Sequence, residues 1–160
     1  MEYSEVPQLG IMEAISASTK KISQFTGRSR RSEYWWTIAF VFVANIVLTP
    51  VAGLVLGLLT IPLTFRRLHD VGRSGWWYGV YFILVGLFIP IFIFDFVILH
   101  SFTGDWFHTI LTKDLIWLLV IVVYKIILLI FLCSDSQIED NKYGESPKYH
   151  YEEKLDNDKE

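Results

Sequence analysis

The chain has 160 residues, a length typical of one domain. With 52% hydrophobic and 19% charged residues and a mean hydropathy of +0.39, it is too apolar for an ordinary soluble domain, and its uncharged runs are long enough to cross a bilayer. The net charge is −3, but the basic residues are concentrated at the ends of those runs. This distribution excludes a basic, solvent-exposed face that binds nucleic acid. The single cysteine, Cys133, excludes an internal disulfide and a cysteine-based metal site.

Residues 1–33 are predicted to lie in the cytoplasm. They contain no apolar stretch of the kind that a cleavable signal peptide needs, so the first long apolar run is expected to stay in the membrane as an anchor. Between Gly10 and Phe25, apolar residues recur at helical spacing among polar ones. This pattern predicts an amphipathic helix that lies in the membrane interface or packs on the cytoplasmic ends of the other helices. A basic collar follows over residues 27–33.

The run from Tyr34 to Phe65 contains 32 residues and no formal charge. As one helix it would be about 48 Å long, against a hydrocarbon core of about 30 Å. Basic residues flank both ends, and since the positive-inside bias places both ends in the cytoplasm, the run must cross twice. Pro50 is the natural break. We therefore predict two helices, 34–49 and 51–70, the second continuing beyond Phe65 so that its arginines reach the lipid headgroups.

After a polar turn, a third membrane helix is predicted over 76–99 and a fourth over 115–133, joined by an extracytoplasmic loop, 100–114. Four crossings leave both termini in the cytoplasm. Residues 134–160 carry nine acidic and four basic residues, which predicts an acidic, mostly disordered cytoplasmic tail. The predicted fold is therefore all-α: a multi-pass transmembrane helical bundle, 34–133, of about four helices, with an N-terminal amphipathic interfacial helix. Tryptophans at the helix ends are its interface anchors: Trp35, Trp36, Trp76 and Trp77.

Three polar motifs occur in order along the chain. They are the collar Gly27-Arg28-x-Arg30-Arg31-x-Glu33-Tyr34-Trp35, the segment Arg66-Arg67-Leu68-His69-Asp70-x-Gly72-Arg73-Ser74-Gly75-Trp76-Trp77, and Asn141-x-Tyr143-Gly144-x-x-Pro147. From Phe25 to Pro147 the chain resembles the bacterial family of integral inner-membrane proteins called domain of unknown function 805. The resemblance implies a small multi-pass protein of the bacterial cytoplasmic (inner) membrane with no established activity. The chain departs from the family pattern in a shorter first hairpin, a longer stretch between Trp77 and Asn141, and Lys142 in place of the usual arginine.

The segment from Arg66 to Asp70 presents its polar side chains on one helical turn. There Arg66 lies three residues before His69, and Arg67 three before Asp70. The carboxylate could therefore orient the imidazole while two guanidinium groups hold a phosphate. We predict a site for anionic headgroups that also uses the remaining arginines of the collar and turn: Arg28, Arg30, Arg31 and Arg73. Two alternatives remain open: a structural lock that pairs Asp70 with Arg67 or Arg73, and a topology signal that binds anionic lipid without specificity.

Lys125 is an ionisable residue near the middle of the last predicted helix, and Asp95 on the third helix is its candidate partner in an intramembrane pair. The alternative is that Lys125 snorkels or contacts a carbonyl or Asn45. In the outer loop, two histidines and two aspartates match no metal-ligand spacing, so a solvated loop is predicted there: His100, Asp105, His108 and Asp114.

The sequence favours a non-enzymatic inner-membrane protein with no cofactor, no catalytic residue and no metal site. Its cytoplasmic Arg/His/Asp cluster is expected to bind anionic headgroups of the lipid bilayer or a membrane-protein partner, which includes a homo-oligomer. Two further functions stay open. One is a small transporter or channel component that uses Asp95 and Lys125, and the other is a membrane enzyme that acts on a phosphorylated lipid with His69 as acid or base.

Overall fold

The computed structural model describes residues 2–99 and 110–152, and this part of the chain is mostly helical. Its α-helices, strands and π-helical turns are α1 (Ile11–Lys20), α2 (Arg31–Val47), α3 (Pro50–Asp70), α4 (Trp76–Phe94), α5 (Leu115–Cys133), β1 (Glu2–Glu5), β2 (Tyr149–Glu152), and the turns Asp95–Leu99 and Ile110–Asp114. They belong to two compact units. The first comprises residues 1–75 and 132–160, and the second residues 76–131.

The break in the long apolar run lies where the sequence predicts it. Leu48 follows α2 with an extended backbone (φ −90°, ψ 171°). Pro50 is the first residue of α3, a position at which its missing N–H costs no helix bond. At 1.5 Å per residue the two helices are about 26 Å and about 32 Å long. α1 packs against α2 and α2 against α3, so α2 is the central helix of the first unit.

A Schellman motif ends α3 and leads the chain into the polar turn. Gly72 adopts φ +72°, a left-handed conformation that glycine takes without strain. The Gly72 N–H donates to the carbonyl of His69 (3.0 Å), and the Arg73 N–H donates to that of Leu68 (2.9 Å). These bonds satisfy carbonyls that the helix itself leaves open, and they hold the last turn of α3 in one orientation.

The prediction of a mostly disordered tail is wrong for residues 134–152. There β2 pairs with β1 in an antiparallel two-stranded sheet, in which Tyr3 lies opposite Tyr151. The charged composition of the tail indicates no strand, because the pairing partner lies at the other end of the chain and short strands depend on their neighbours more than on intrinsic preference. The all-α prediction therefore holds apart from this small ribbon. Residues 153–160 lie outside the described part.

The second unit contains most of the two strongly apolar helical stretches of the described chain. Trp76–Val97 has a mean hydropathy of 2.5 and Thr112–Cys133 one of 3.0, and only 6% and 17% of their most apolar windows are buried. Both are long and apolar enough to cross a bilayer. Two of the four predicted membrane helices thus meet this criterion among the described residues. The predicted outer loop falls mainly on residues 100–109, outside the described part.

Candidate functional site

Asp70, the last residue of α3, is the centre of a buried ion-pair network. Its Oδ1 accepts a hydrogen bond from Arg28 Nε (3.0 Å), and its Oδ2 accepts one from Arg67 Nη1 (2.5 Å) and one from the Ser136 hydroxyl (2.5 Å). The side chains of Asp70 and both arginines are at most 1% exposed. Burial raises the pKa of Asp70, while the Ser136 hydroxyl and the two guanidinium groups act in the opposite direction.

The Arg28 guanidinium joins three segments that are far apart in the sequence. Besides Asp70, it donates from Nη1 to the carbonyl of Glu139 (2.9 Å) and from Nη2 to that of Gln137 (2.6 Å). A longer bond from Nη1 reaches the carbonyl of Gly144 (3.3 Å). A planar guanidinium with five fixed donors suits such a junction of carboxylate and backbone oxygens. Arg28 therefore ties the collar to the end of α3 and to the last of the three motifs.

Arg67 connects the same carboxylate to the end of α5. Its Nε donates to the carbonyl of Leu132 (3.1 Å), and its Nη2 donates to the carbonyl of Ser134. The last carbonyls of a helix have no intrahelical partner and carry the negative end of the helix dipole, so a buried cation is favourable there. The Arg67–Asp70 pair of the structural-lock alternative is present in the structure.

His69 is held by the collar and the last motif, and Asp70 does not orient it. Its Nδ1 lies 3.1 Å from the carbonyl oxygen of Gly27, and its ring stacks on Tyr143 with centroids 3.8 Å apart and planes 4° apart. The Asn141 amide donates to the His69 carbonyl (3.0 Å). Burial lowers the pKa of His69, and the bond to Gly27 only partly opposes that shift. The imidazole is therefore neutral at pH 7 and donates from Nδ1.

Arg66 and Arg30 also make internal contacts. Arg66 pairs with Glu33 (3.4 Å) and donates from Nη1 to the carbonyls of Lys21 (2.5 Å) and Gln24 (2.7 Å). Arg30 donates to the carbonyls of the segment that follows β1, those of Pro7 (2.7 Å) and Val6 (3.2 Å). These two arginines thus hold α1 and the N-terminal segment against α2 and α3.

The predicted headgroup site is accordingly divided between interior and surface. Most of its members are buried among protein groups: Arg28, Arg30, Arg66, Arg67, His69 and Asp70. Arg31 and Arg73 are exposed. Three further residues take part in these contacts although they are not among the predicted site residues: Glu33, Asn141 and Tyr143. All three belong to the motifs that carry the family resemblance. Ser136 lies in none of those motifs, and no sequence pattern points to it.

The predicted intramembrane pair is wrong in one partner. The Asp95 carboxylate pairs with Lys113: Asp95 begins the π-helical turn that follows α4, and Lys113 lies in the π-helical turn that precedes α5. Lys125 lies 12 residues further along, about 18 Å by helical rise. Its ammonium is 6.0 Å from the Tyr81 ring centroid, at the limit of a cation–π contact. The transport hypothesis therefore loses the pair on which it depended.

The tryptophans predicted as interface anchors differ in exposure. Trp36 is 42% exposed and Trp76 70% exposed, as expected for anchors. Trp77 packs within the second unit, with its ring 6.0 Å from that of Tyr124, and its carbonyl accepts a bond from the Tyr124 hydroxyl (2.9 Å). Trp35 is half-buried.

Beside the network, a cavity of about 190 Å³ opens at the start of α2. It is lined by Gln8, Arg30, Arg31, Ser32, Trp35, Trp36, Asp135, Ser136 and Lys148. Lys148 pairs with Asp135 (2.6 Å) and Glu5 (3.5 Å). Its contacts with Asp135 and Tyr149 raise the pKa of Lys148, and the hydrogen bond from Lys148 lowers the pKa of Asp135. Arg31 makes one long bond, 3.5 Å, to the carbonyl of Cys133. We call this cavity the collar pocket.

Comparison with known proteins agrees with a membrane location. Residues 45–145 match the family model described as Protein of unknown function (DUF805). The inner membrane protein YhaH of Escherichia coli (strain K12) is 37% identical over 71 residues, a match that covers 33% of this chain and 59% of YhaH. The inner membrane protein YhaI of the same strain is 29% identical over 139 residues, covering 78% of this chain and 86% of YhaI. The chain thus covers less than two thirds of the length of YhaH. No solved structure matches it.

Proposed function

The chain belongs to the DUF805 family of proteins of unknown function, its matched relatives are inner membrane proteins, and we propose that it is a non-enzymatic, multi-pass inner-membrane protein that binds anionic lipid headgroups at its cytoplasmic face. The observation that carries the proposal is the collar pocket, in which an exposed arginine stands beside a tryptophan pair. The buried network around Asp70 is the scaffold that fixes the pocket, and it does not itself contact the headgroup.

The small sheet supports an even number of membrane crossings. The pairing of β1 with β2 supports a placement with both ends of the described chain on one side of the membrane. α4 and α5 account for two crossings, and the α2–α3 hairpin accounts for two more over residues 34–65. Apolar, exposed side chains on the hairpin fit contact with lipid: Phe42, Val43, Ile46, Val51, Leu54 and Leu58. The bases in residues 1–33 assign the shared side to the cytoplasm.

The collar pocket has the charge and position that a headgroup needs. Arg31 is the first residue of α2, and the preceding residue, Arg30, provides no side-chain cap. The first N–H groups of a helix carry its positive dipole end and favour an anion. Arg31 adds a full positive charge, whereas Lys148 is largely neutralised by two carboxylates. Trp35 and Trp36 suit the headgroup level, where amphipathic rings accumulate.

Lipid titration of the purified full-length protein in mild detergent, read by native mass spectrometry, tests the proposal. Dioleoylphosphatidylglycerol should bind more tightly than dioleoylphosphatidylethanolamine. Arg31→Gln should weaken phosphatidylglycerol binding about five-fold, since one basic residue near an anionic lipid contributes about 1 kcal/mol. Lys20→Gln makes the same charge change on α1, outside the pocket, and is the matched control. Equal losses in the two variants, or no loss in Arg31→Gln, would contradict a site at the pocket.

A further inference from the structure

A second cavity, narrow and apolar, lies between α1, α2 and α3. It measures about 70 Å³, and its walls carry six hydrophobic side chains: Ile15, Ile22, Phe40, Val41, Leu56 and Leu63. We call it the α1 slot. Phe40 is 48% exposed and Ile22 38% exposed, so the walls present apolar surface at the mouth. Leu63, which also lines the slot, is only 3% exposed.

The hydroxyl groups along the slot are already satisfied. The Ser18 and Thr37 hydroxyls bond to each other (2.8 Å), and the Thr60 hydroxyl donates to the Gly57 carbonyl (2.6 Å). A hydroxyl that is committed to a protein partner offers little to a polar ligand. The walls therefore favour a hydrocarbon chain over a water-soluble molecule.

Two cations give the slot a polar end. Lys21 lines it and is exposed, and among the described residues it has no ion-pair partner. Arg66, which is 1% exposed, also lines it. The Arg66 Nη atoms are used by Glu33 and two carbonyls, but its buried Nε–H has no partner in the described part of the chain. A buried donor without an acceptor is costly, and an oxygen brought by an occupant would remove that cost.

The α1 slot and the collar pocket are separate sites. Arg31 lines the pocket and Phe40 the slot. They are nine residues apart on α2, which places them on opposite faces of the helix, about 180° apart at 100° per residue. One headgroup therefore cannot reach both.

We propose that the α1 slot binds one acyl chain of a membrane phospholipid, with the lipid phosphate at Lys21 and an ester carbonyl oxygen accepting the Arg66 Nε–H. The proposal rests on the membrane placement given above. That placement puts the start of α2 and the end of α3 at the cytoplasmic interface, with Phe40, Val41 and Leu56 deeper in the hydrocarbon. With increasing depth in the bilayer, a phospholipid presents first its phosphate, then its ester and then its acyl chain. Lys21, Arg66 and the apolar walls of the slot follow one another in the same order.

Photolabelling in vesicles tests the slot. The full-length protein is reconstituted in vesicles of phosphatidylethanolamine and phosphatidylglycerol that contain a trace of phosphatidylethanolamine with a diazirine on one acyl chain. After irradiation, mass spectrometry should find the label concentrated at Phe40 and Val41. Leu56→Trp fills the slot and should lower that labelling at least ten-fold. Leu54→Trp, the same substitution at a 66% exposed site on α3 outside the slot, should leave it unchanged.

Two milder variants test the polar end of the slot without adding bulk. Lys21→Gln should lower labelling about five-fold, in line with the contribution of one basic residue near a phosphate. Arg66→Lys keeps a cation opposite Glu33 but removes the Nε–H, and should lower labelling several-fold. Equal labelling in Leu56→Trp and Leu54→Trp would overturn the slot, as would label spread evenly over exposed apolar residues. Loss of the label at Phe40 and Val41 when oleate is added in an amount equal to the diazirine lipid would also overturn the proposal, because the slot would then bind a free fatty acid.

Failure of the slot and failure of the headgroup site are distinguishable. Arg31→Gln should weaken phosphatidylglycerol binding and leave the labelling of Phe40 and Val41 unchanged. If Leu56→Trp leaves the labelling intact while Arg31→Gln still weakens headgroup binding, the slot alone is wrong. If the protein neither retains phospholipid nor acquires label from the vesicles, the membrane placement itself is wrong and both proposals fall.

Discussion

Replacing Asp70 by Asn is the most direct test of the buried network. The substitution keeps the size of the side chain and one carbonyl-type acceptor, but it removes the negative charge that Arg28 and Arg67 share. Two guanidinium groups would then stay buried without that carboxylate, and their hydrogen bonds would go to backbone carbonyls and the Ser146 hydroxyl. The protein must either tolerate that charge or open the junction between the collar, the end of α3 and the last motif.

The expected cost follows from the burial of the pair. Breaking a buried ion pair by removing one partner costs about 3–5 kcal/mol, because it leaves an uncompensated charge in a low-dielectric interior. Asn can still accept one hydrogen bond, so about 3 kcal/mol is the appropriate estimate. This is a large share of the total stability of a typical domain, about 5–15 kcal/mol. The Lys148–Glu5 pair, whose carboxylate is 64% exposed, belongs to the class of surface pairs with median values of about 0–1 kcal/mol.

Unfolding of the purified protein in mixed micelles, followed by tryptophan fluorescence, measures this cost. Glu139→Gln is the matched control, since its side chain is exposed and only its backbone carbonyl contacts Arg28. A double-mutant cycle with Arg28→Gln should give a coupling energy of about 1–3 kcal/mol with Asp70→Asn. Two results would refute the claim that this network holds the first unit together. One is a free energy of unfolding for Asp70→Asn within about 0.5 kcal/mol of that of the parent, and the other is a coupling energy near zero.

Two further predictions concern the same end of α3. Burial lowers the pKa of His69, so the unfolded chain binds more protons than the folded one, and stability should fall as the pH drops below about 6.5 towards the lower folded-state pKa. In His69→Asn, whose amide can still donate to the Gly27 carbonyl, the free energy of unfolding should fall less steeply between pH 7.5 and pH 5. Parallel curves of unfolding free energy against pH for the variant and the parent would contradict this assignment. Gly72→Ala should cost about 1 kcal/mol or more through its positive φ and crowding against Gln137. A melting temperature unchanged from the parent would show that the turn is not constrained as described.

Several elements of the fold could be predicted from the sequence because their causes are local. The break at Pro50 and the stop at Gly72 follow from backbone chemistry that acts within a few residues. Helix α5 begins and ends where its apolar run does, since a helix that crosses a bilayer needs about 20 apolar residues. The Arg67–Asp70 pair was visible as one open alternative because the two residues are three positions apart on one helix.

Contacts between distant segments could not be predicted in the same way. Arg28 and Asp70 are both recognisable as polar motif residues, but nothing in their spacing indicates that they pair. Asp95 shows the same limit: helical rise suggested Lys125 as its partner, whereas the π-helical turn before α5 brings Lys113 to it. The tail is the clearest case, since its charged composition predicts disorder and its pairing with the N-terminal strand exists only once the chain is folded.

The sequence by itself determined that this protein resides in a membrane, which runs form helices and which residues make up its polar motifs. Those properties depend on hydrophobic length and local conformational preference, and both can be counted along the chain. Only the tertiary structure decided what the arginines do. A buried charge must find counter-charges and carbonyl oxygens within hydrogen-bond distance, and for Arg28, Arg66 and Arg67 the fold supplies them from distant segments. Arg31 and Lys21 lie exposed, which is why the two lipid-binding proposals rest on them and not on the buried arginines.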